Sequence, residues 1–346
     1  MSPGAAAIRA EAARLAEGFA ARGAVPFETG VLQPAGPLLD LYGEDIRARA
    51  YVTRDPHQGE MMLRPDFTLP LMRHHMAGIA PAPARYAYSG EVFRRQEEDP
   101  DRPSEYVQVG FEVLGEADAP ARDAEVLAAM RDACGGAGRT VFGDIGLVTA
   151  AVRGLTTSER RRAQLLRHVW RPARFRALLA AFAAPPAPFV APPASAAPEI
   201  GTREAAEVAA RIEALRADAA TPPVPAREAE AMTALLALAC PPVEAPDALA
   251  GLASALGGLR SRLPLFSERL SALAEVADLS EIGFAASHAR SAMEYYDGVT
   301  FTIIAPSLPP LATGGRYDAL TRALGGGEVP AVGGVVRPAA LLEARG

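Results

Sequence analysis

Residues 85–115 carry the clearest pattern in the chain. In RYAYSGEVFRRQEEDPDRPSEYVQVGFEVLG the second half alternates. Val107, Val109, Phe111 and Val113 fall on one face, and Gln108, Gly110 and Glu112 on the other. A period of two marks a strand with one packed face. The first half reads as a partner strand, joined to the second by a long polar loop. The polar face is unusual for a solvated surface, since it holds an amide, a glycine and a carboxylate but no basic residue. A glycine between two polar groups leaves a hollow in which a small molecule can lie flat. The first strand ends in Phe93-Arg94-Arg95, which brings a guanidinium to the strand end beside that hollow. A cation facing an amide-and-carboxylate floor suits a zwitterionic or phosphorylated ligand. An ordinary hairpin with a charged loop satisfies the same pattern.

The flanking segments supply helices and further strands. In residues 5–22, Ile8, Ala12, Leu15 and Phe19 share an apolar face, and Gly23 stands where a helix would stop. Residues 25–28 read as extended, followed by a Gly/Pro-rich turn and a short segment at 38–42. The run MMLRPDFT at 61–68 begins as a strand. If the strand persists, Asp66 and Thr68 share a face, where a carboxylate and a hydroxyl together hold an ammonium. Arg64-Pro65-Asp66 is equally turn chemistry. The patterns predict a helix over 121–134 and a strand over 140–148.

Residues 153–176 are strongly basic, with Arg153, Arg160, Arg161, Arg162, Arg167, Arg171, Arg174 and Arg176, and Trp170 and Phe175 among them. Arginines with aromatics serve nucleic-acid phosphates and bases. A solvated helix face, or a docking surface for an acidic partner, is the reading that the negative net charge favours. A Pro/Ala-rich spacer at 181–198 precedes helical patterns near 203–217, 227–240 and 247–257, so 155–258 reads as a helical insertion outside the sheet. Strand patterns return at 280–286 and at 294–303, the latter a hairpin turning at Asp297-Gly298. Residues 313–318 lead into a helix, and a last helix spans 337–345.

Composition narrows the class. The 346 residues are 49% hydrophobic and 22% charged, enough for a substantial core in one large domain or two. No apolar run reaches the length of a membrane span, and Arg9, Glu11 and Arg14 interrupt the N-terminus, so neither a signal peptide nor a membrane helix is expected. Cys134 and Cys240 show no metal or redox spacing, which makes a reducing cytoplasm the default and leaves no metal site or cofactor to propose. A net charge of −6 argues against a protein that coats nucleic acid. The chain has no Lys and no Asn, which excludes a phosphate loop ending in Gly-Lys, a Schiff-base lysine and N-glycosylation.

FRRQ, the acidic loop and YVQVGFEVLG together resemble motif 2 of class II aminoacyl-tRNA synthetases in its histidyl form. LRPDFT is similar to the LRPE-x-T segment of histidyl enzymes, while EYYDGVTF and GGRYD resemble their histidine signatures. Four ordered blocks span most of the chain. The resemblance implies an α+β fold, a class II synthetase-like antiparallel sheet flanked by helices, as one core over 1–346 with the insertion near 155–258. It places Asp66, Thr68 and Gln108 where the family grips the ammonium of histidine. It places Glu112 and Tyr296 where the family reads the imidazole, Tyr317 in the same pocket, and Arg94 at the ATP α-phosphate. The region around Pro26 loosely resembles motif 1, which implies a homodimer.

Departures from the pattern point to a particular branch. In the register of R-G-L-D-Y-Y, Ser291 takes the place of the family's arginine, with Arg290 displaced by one. The Glu-Arg pair of motif 3 falls on Ala339 and Ala340, with Arg337 off register, and Ser104 stands where a motif 2 loop arginine is usual. Adenylate formation concentrates negative charge, so such cations carry catalysis. Only 28 residues follow Asp318, fewer than a minimum domain of about 50, so no anticodon-binding domain is expected. A histidyl synthetase core without these parts resembles the regulatory subunits of ATP phosphoribosyltransferase. That implies no catalysis by the chain alone, a short-form catalytic subunit as partner, and histidine as effector. An active amino-acid-activating enzyme and a tRNA-binding module are the alternatives.

Overall fold

The computed structural model describes residues 3–36, 50–78, 83–96, 103–186, 188–191, 204–288, 295–324 and 327–346. Helix α1 (Ala5–Ala20) buries Ala12, Leu15 and Phe19 and passes through Gly23, at a φ of 84°, into β1 (Val25–Pro26). Strands β2 (Leu32–Pro34), β3 (Val52–Asp55) and β4 (Gly59–Leu63) make a small antiparallel sheet in the order β2-β4-β3. Helix α2 (Thr68–Met76) leads to the long pair β5 (Ala84–Phe93) and β6 (Glu105–Leu114).

Then come α3 (Ala119–Cys134), β7 (Arg139–Asp144), α4 (Ile145–Arg153), α5 (Glu159–Arg167), α6 (Pro172–Ala183), α7 (Ala205–Ala219) and α8 (Ala226–Ala237). β8 (Ala239–Cys240), α9 (Ala245–Ala253), α10 (Leu263–Val276) and β9 (Ile282–Ala285) follow. The chain closes with β10 (Val299–Ile304), β11 (Ala312–Arg316), α11 (Leu320–Ala323), β12 (Ala331–Val336) and α12 (Pro338–Arg345).

The large sheet runs β1-β5-β6-β12-β11-β10-β7-β9-β8. Its pairings are antiparallel except β1 with β5 and β7 with β9. β6 is flanked by β5 and β12 and is buried on both faces. Val109, Phe111 and Val113 enter the main core, where Phe111 stacks on Phe19 of α1 at 5.4 Å. The opposite face meets a second cluster that includes Phe67, Tyr86, Tyr88 and Tyr317.

Three expectations need correction, and the open alternative at 61–68 resolves in favour of the turn. The strand at 61–68 does not persist: β4 ends at Leu63, and Thr68 opens α2. The Arg-Pro-Asp turn wins because Pro65 breaks the ladder. The strand expected over 140–148 stops at Asp144, whose carboxylate accepts from Gly146 N at 2.8 Å and starts α4. This is N-cap chemistry that an apolar run concealed. No hairpin turns at Asp297-Gly298. β10 begins after it and pairs with β7 and β11, while Asp297 accepts from the backbone N–H groups of Asp318 and Ala319. The insertion is not wholly outside the sheet, since β8 pairs with β9. The segment at 38–42 and residues Glu294, Ser291 and Arg290 lie outside the described residues.

The basic stretch divides. Phe175 is buried and Trp170 packs on the core, so these aromatics do not stand among the arginines as a stacking platform. Arg161 is buried against Asp218 at 3.0 Å, and Arg162 pairs with Glu159 at 2.9 Å. Arg153, Arg167, Arg171, Arg174 and Arg176 are exposed.

The helical segment rejoins α4 through two glycines. A Cβ at Gly258 would fall 2.2 Å from the Ala150 carbonyl oxygen and 3.0 Å from Gly154 Cα. Those neighbours are backbone and cannot swing aside. Gly258→Ala is therefore expected to lower stability by roughly 1–3 kcal/mol, as overpacking does. Gly251→Ala, at an exposed site in α9 with open space around it, is expected to raise stability. The helix-propensity gain is about 0.5–1 kcal/mol. Urea unfolding midpoints that move the same way in both variants would contradict this packing.

Candidate functional site

The register of β6 builds the floor. Gln108 lies opposite Gly90 of β5, Gly110 opposite Tyr88, and Glu112 between Tyr86 of β5 and Gly333 of β12. Directly opposed residues share a face, so glycines flank each polar side chain. A Cβ at Gly333 would fall 1.3 Å from Glu112 Oε2, which means the carboxylate lies across that glycine. A Cβ at Gly110 would fall 2.1 Å from Tyr88 Cζ. The hollow expected above Gly110 is thus filled by the chain's own Tyr88 ring, which stacks on Phe67 at 4.4 Å.

Glu112 is only 2% exposed and is held from two sides. Tyr88 OH donates to Oε1 at 2.9 Å, and Tyr317 OH donates to Oε2 at 2.6 Å. Burial pushes its carboxyl up to about 7, the two phenols pull it back in part, and the nearby Asp66 charge adds to the rise. Tyr317 and Tyr296 form a wall with Tyr295, whose ring lies 5.5 Å from that of Tyr317. Tyr296 packs against the bare face of Gly315, where a Cβ would stand 2.8 Å from its ring. Burial raises the pKa of both phenols. Tyr295 OH donates to Thr68 Oγ1 at 3.4 Å, which brings the first turn of α2 to the wall.

Asp66 lies in the turn before α2 and is 4% exposed. Its Oδ1 accepts from Leu69 N at 3.4 Å, while Oδ2 has no partner among the described residues. Burial raises its pKa, and Arg94 and the Leu69 and Thr68 amides lower it in part. Arg94 is held over this turn, its Nε donating to the Pro65 carbonyl at 2.7 Å. Gln108 is 1% exposed, and neither atom of its carboxamide has a partner among the described residues. An unpaired buried polar group costs about 1–3 kcal/mol. Three such atoms within one predicted site are therefore a liability that a ligand rich in donors and acceptors removes. Asp66 Oδ2, Gln108 Oε1 and Thr68 Oγ1 are all acceptors of the kind an ammonium donates to.

Asp66, Thr68, Arg94, Glu112, Tyr296 and Tyr317 are brought into mutual electrostatic range or hydrogen-bond contact. Gln108 joins them through the alternation of β6. Sequence reasoning missed Tyr88 and Tyr295. Tyr88 could have been found, since the alternation of β5 puts it on the face of Tyr86 and Gly90, directly opposite Gly110. Arg337 is turned away from a ligand role: its Nη1 donates to the Pro310 carbonyl at 2.7 Å and its guanidinium lies 5.9 Å from the Tyr106 ring centre. Ala340 is buried in the core.

The raised Glu112 pKa makes stability depend on pH. The folded state holds the Glu112 proton up to about pH 7, whereas an unfolded carboxyl releases it near 4.3. Below that unfolded value the group contributes no difference. Between the two values stability falls as pH rises, and above the folded value the full penalty of about 4 kcal/mol stands. Glu112→Gln is expected to remove about 2–3 kcal/mol of the fall in unfolding free energy between pH 5 and 7.5. Parallel wild-type and variant profiles in denaturant titrations would count against a buried, ionising Glu112.

The family model for histidyl-tRNA synthetase matches residues 2–341. An ATP phosphoribosyltransferase regulatory subunit of Allorhizobium ampelinum is 34% identical over 360 residues, covering 93% of this chain and 94% of the relative. One of Agrobacterium fabrum is 33% identical over 355 residues, covering 93% of each. A crystal structure of an ATP phosphoribosyltransferase regulatory subunit/histidyl-tRNA synthetase from Bacillus halodurans superposes with a TM-score of 0.71 at 20% identity, covering 98% of this chain and 79% of that one. The α+β class II synthetase fold is thereby shared, and the chain belongs to the ATP phosphoribosyltransferase regulatory subunits, a branch of the histidyl-tRNA synthetase family.

Proposed function

We propose that this chain is the non-catalytic subunit that binds and activates a short-form ATP phosphoribosyltransferase in the cytoplasm, in the first step of histidine biosynthesis, and that it binds histidine as feedback effector. It acts as a single synthetase-like unit with a helical insertion. The names of its relatives support the partner. The observation that carries the effector is the set of buried, unpaired atoms on Asp66 and Gln108 beside the Glu112–tyrosine cluster. These groups match an amino acid with an ammonium and a ring that offers both a donor and an acceptor. The positions expected to supply motif 3 chemistry are Ala339 and Ala340, which bring no charge to an ATP phosphate. The site thus keeps groups suited to recognition without the motif 3 arginine that helps to stabilise a developing phosphoanhydride charge.

Mixed with a short-form catalytic subunit, the chain is expected to form a stable complex far more active than that subunit alone, and histidine should inhibit it. Histidine-dependent exchange of pyrophosphate into ATP should stay at background. Gln108→Met separates recognition from activation. Removing an unpaired buried amide should raise the stability of the free chain by about 1–3 kcal/mol. The same change should weaken histidine inhibition about tenfold or more, with activation retained. Unchanged inhibition would move the sensor elsewhere, and a mixture showing neither binding nor activation would end the assignment.

A homodimer through the N-terminal strands completes the reading. Val25 is 52% and Leu32 47% exposed, and Val31, Tyr51 and Val52 are exposed as well. β1 is the edge of the large sheet. Exposed apolar side chains on an edge suit a two-fold contact with a second copy. Light scattering should give about twice the 36.2 kDa chain mass. Val25→Glu with Leu32→Glu should halve that value; a double variant that stays dimeric would place the interface elsewhere.

A further inference from the structure

Beneath the tyrosine wall lies a buried ionic layer that the pocket itself does not use. Asp123 of α3, Asp144 at the start of α4, Arg269 of α10 and Arg316 at the end of β11 are all buried. Arg269 Nε donates to Asp123 Oδ2 at 2.7 Å and its Nη1 donates to Asp144 Oδ2 at 2.5 Å. Arg316 Nε donates to Asp123 Oδ1 at 2.7 Å and its Nη1 to Asp318 Oδ1 at 2.8 Å. Asp123 is thus bridged by two guanidiniums, each tied to a further carboxylate.

This layer carries the two backbone segments that present the pocket tyrosines. Tyr317 stands between Arg316 and Asp318. Asp318 Oδ1 also accepts from Ala331 N at 2.8 Å, at the start of β12. Tyr296 is followed by Asp297, whose N–H donates to the Arg316 carbonyl at 3.0 Å. The Asp297 carboxylate accepts from Asp318 N at 3.2 Å and Ala319 N at 2.6 Å. Gly298 sits on the guanidiniums, for a Cβ there would be 3.1 Å from Arg316 Cδ and 3.2 Å from Arg269 Nη2. Its carbonyl accepts from Ile145 N at 3.0 Å, at the start of α4. Both tyrosines therefore rest on backbone fixed by the same charges.

We propose that Arg269 is a positioning residue for the pocket: through Asp123 and Arg316 it sets the segments that carry Tyr296 and Tyr317, and so ties the pocket to helix α10. Arg269 arrives from the helix that follows the insertion, while Arg316, Asp318 and Asp297 belong to the sheet side. Its planar fork holds Asp123 and Asp144 at once. A lysine ammonium retains the charge but cannot hold both carboxylates in that geometry. The proposal concerns the pocket's shape and stands apart from which ligand fills it. Only the affinity readout below rests on the histidine reading.

The full chain is labelled with 3-fluorotyrosine, and its Tyr296 and Tyr317 resonances are assigned from Tyr296→Phe and Tyr317→Phe. In Arg269→Lys both resonances should shift by more than a linewidth, with those of Tyr51 and Tyr106 in place. Leu249→Ala, which removes a buried side chain of α9, serves as a destabilised control and should leave the pocket resonances unmoved. In calorimetric titration with histidine, Arg269→Lys should bind about tenfold more weakly and the control within about twofold of wild type. If Arg269→Lys does not fold, Asp144→Asn loosens the same guanidinium at constant volume and is held to the same criteria. Unmoved Tyr296 and Tyr317 resonances overturn the proposal, even where histidine binds. Shifted resonances in Arg269→Lys, with a wild type that takes up no histidine, uphold the positioning role and remove the histidine reading instead.

Discussion

Strand β6 is buried on both faces, and that constraint governs the molecule. A strand with one wet face could leave Gln108 and Glu112 to water. Here each polar side chain must find a partner inside the protein or remain unpaired at a cost of about 1–3 kcal/mol. Glu112 finds its partners in the phenols of Tyr88 and Tyr317. To reach them it lies across Gly333, and Tyr88 lies across Gly110. Glycine at these points follows from the same demand, because any Cβ would occupy the space that the hydrogen-bonded side chains need. Gln108 and Asp66 Oδ2 are the groups around this floor that have no partner among the described residues.

The main core supplies the stability that such a floor lacks. Val109, Phe111 and Val113 alternate with the polar residues and pack against α1 and α3 on the opposite side of the same strand. A one-residue slip of β6 would put Phe111 into the pocket and Glu112 among Phe19 and Val126. The polar and apolar faces therefore enforce each other's register. That is why a pocket with unpaired groups can exist on a strand with no freedom to move.

Much of this was legible in the sequence because period-two alternation is a local signal. The face carrying Gln108, Gly110 and Glu112 is read directly from 105–115. Helix α1 was equally plain, from its apolar face and Gly23. What failed was chemistry that depends on distant partners. The apolar run after Asp144 looks like a strand until its carboxylate is seen to cap the Gly146 amide. Asp297-Gly298 looks like a hairpin turn until Asp297 is seen to bind amides of residues 318 and 319. The hollow over Gly110 was sound as backbone geometry, but its occupant is a side chain from the neighbouring strand. Arg269 carries no sequence signal, since a lone arginine in LPLFSERLSALAEV reads as the polar face of a helix.

The ionic layer also has a bearing on how the tyrosine wall is held in place. A buried ion pair is a weak source of net stability, yet breaking one is costly because the remaining charge is stranded. Burial alone would favour a neutral Arg269, yet Asp144 and Asp123 outweigh it and raise its pKa, so the guanidinium stays charged. Asp123 shows the opposite balance, with burial raising its pKa against the pull of Arg269 and Arg316. The layer is held at a compromise in which no member can leave without penalty to the rest. Alanine at the two motif 3 positions touches none of these groups, since Ala339 and Ala340 lie on α12, which packs with α1 and β6. Loss of the activating charges is therefore structurally cheap, whereas loss of the tyrosine wall or its ionic footing is not. The Glu112–tyrosine cluster is built into the packing of the fold, while positions 339 and 340 stand apart from it and can vary without disturbing it.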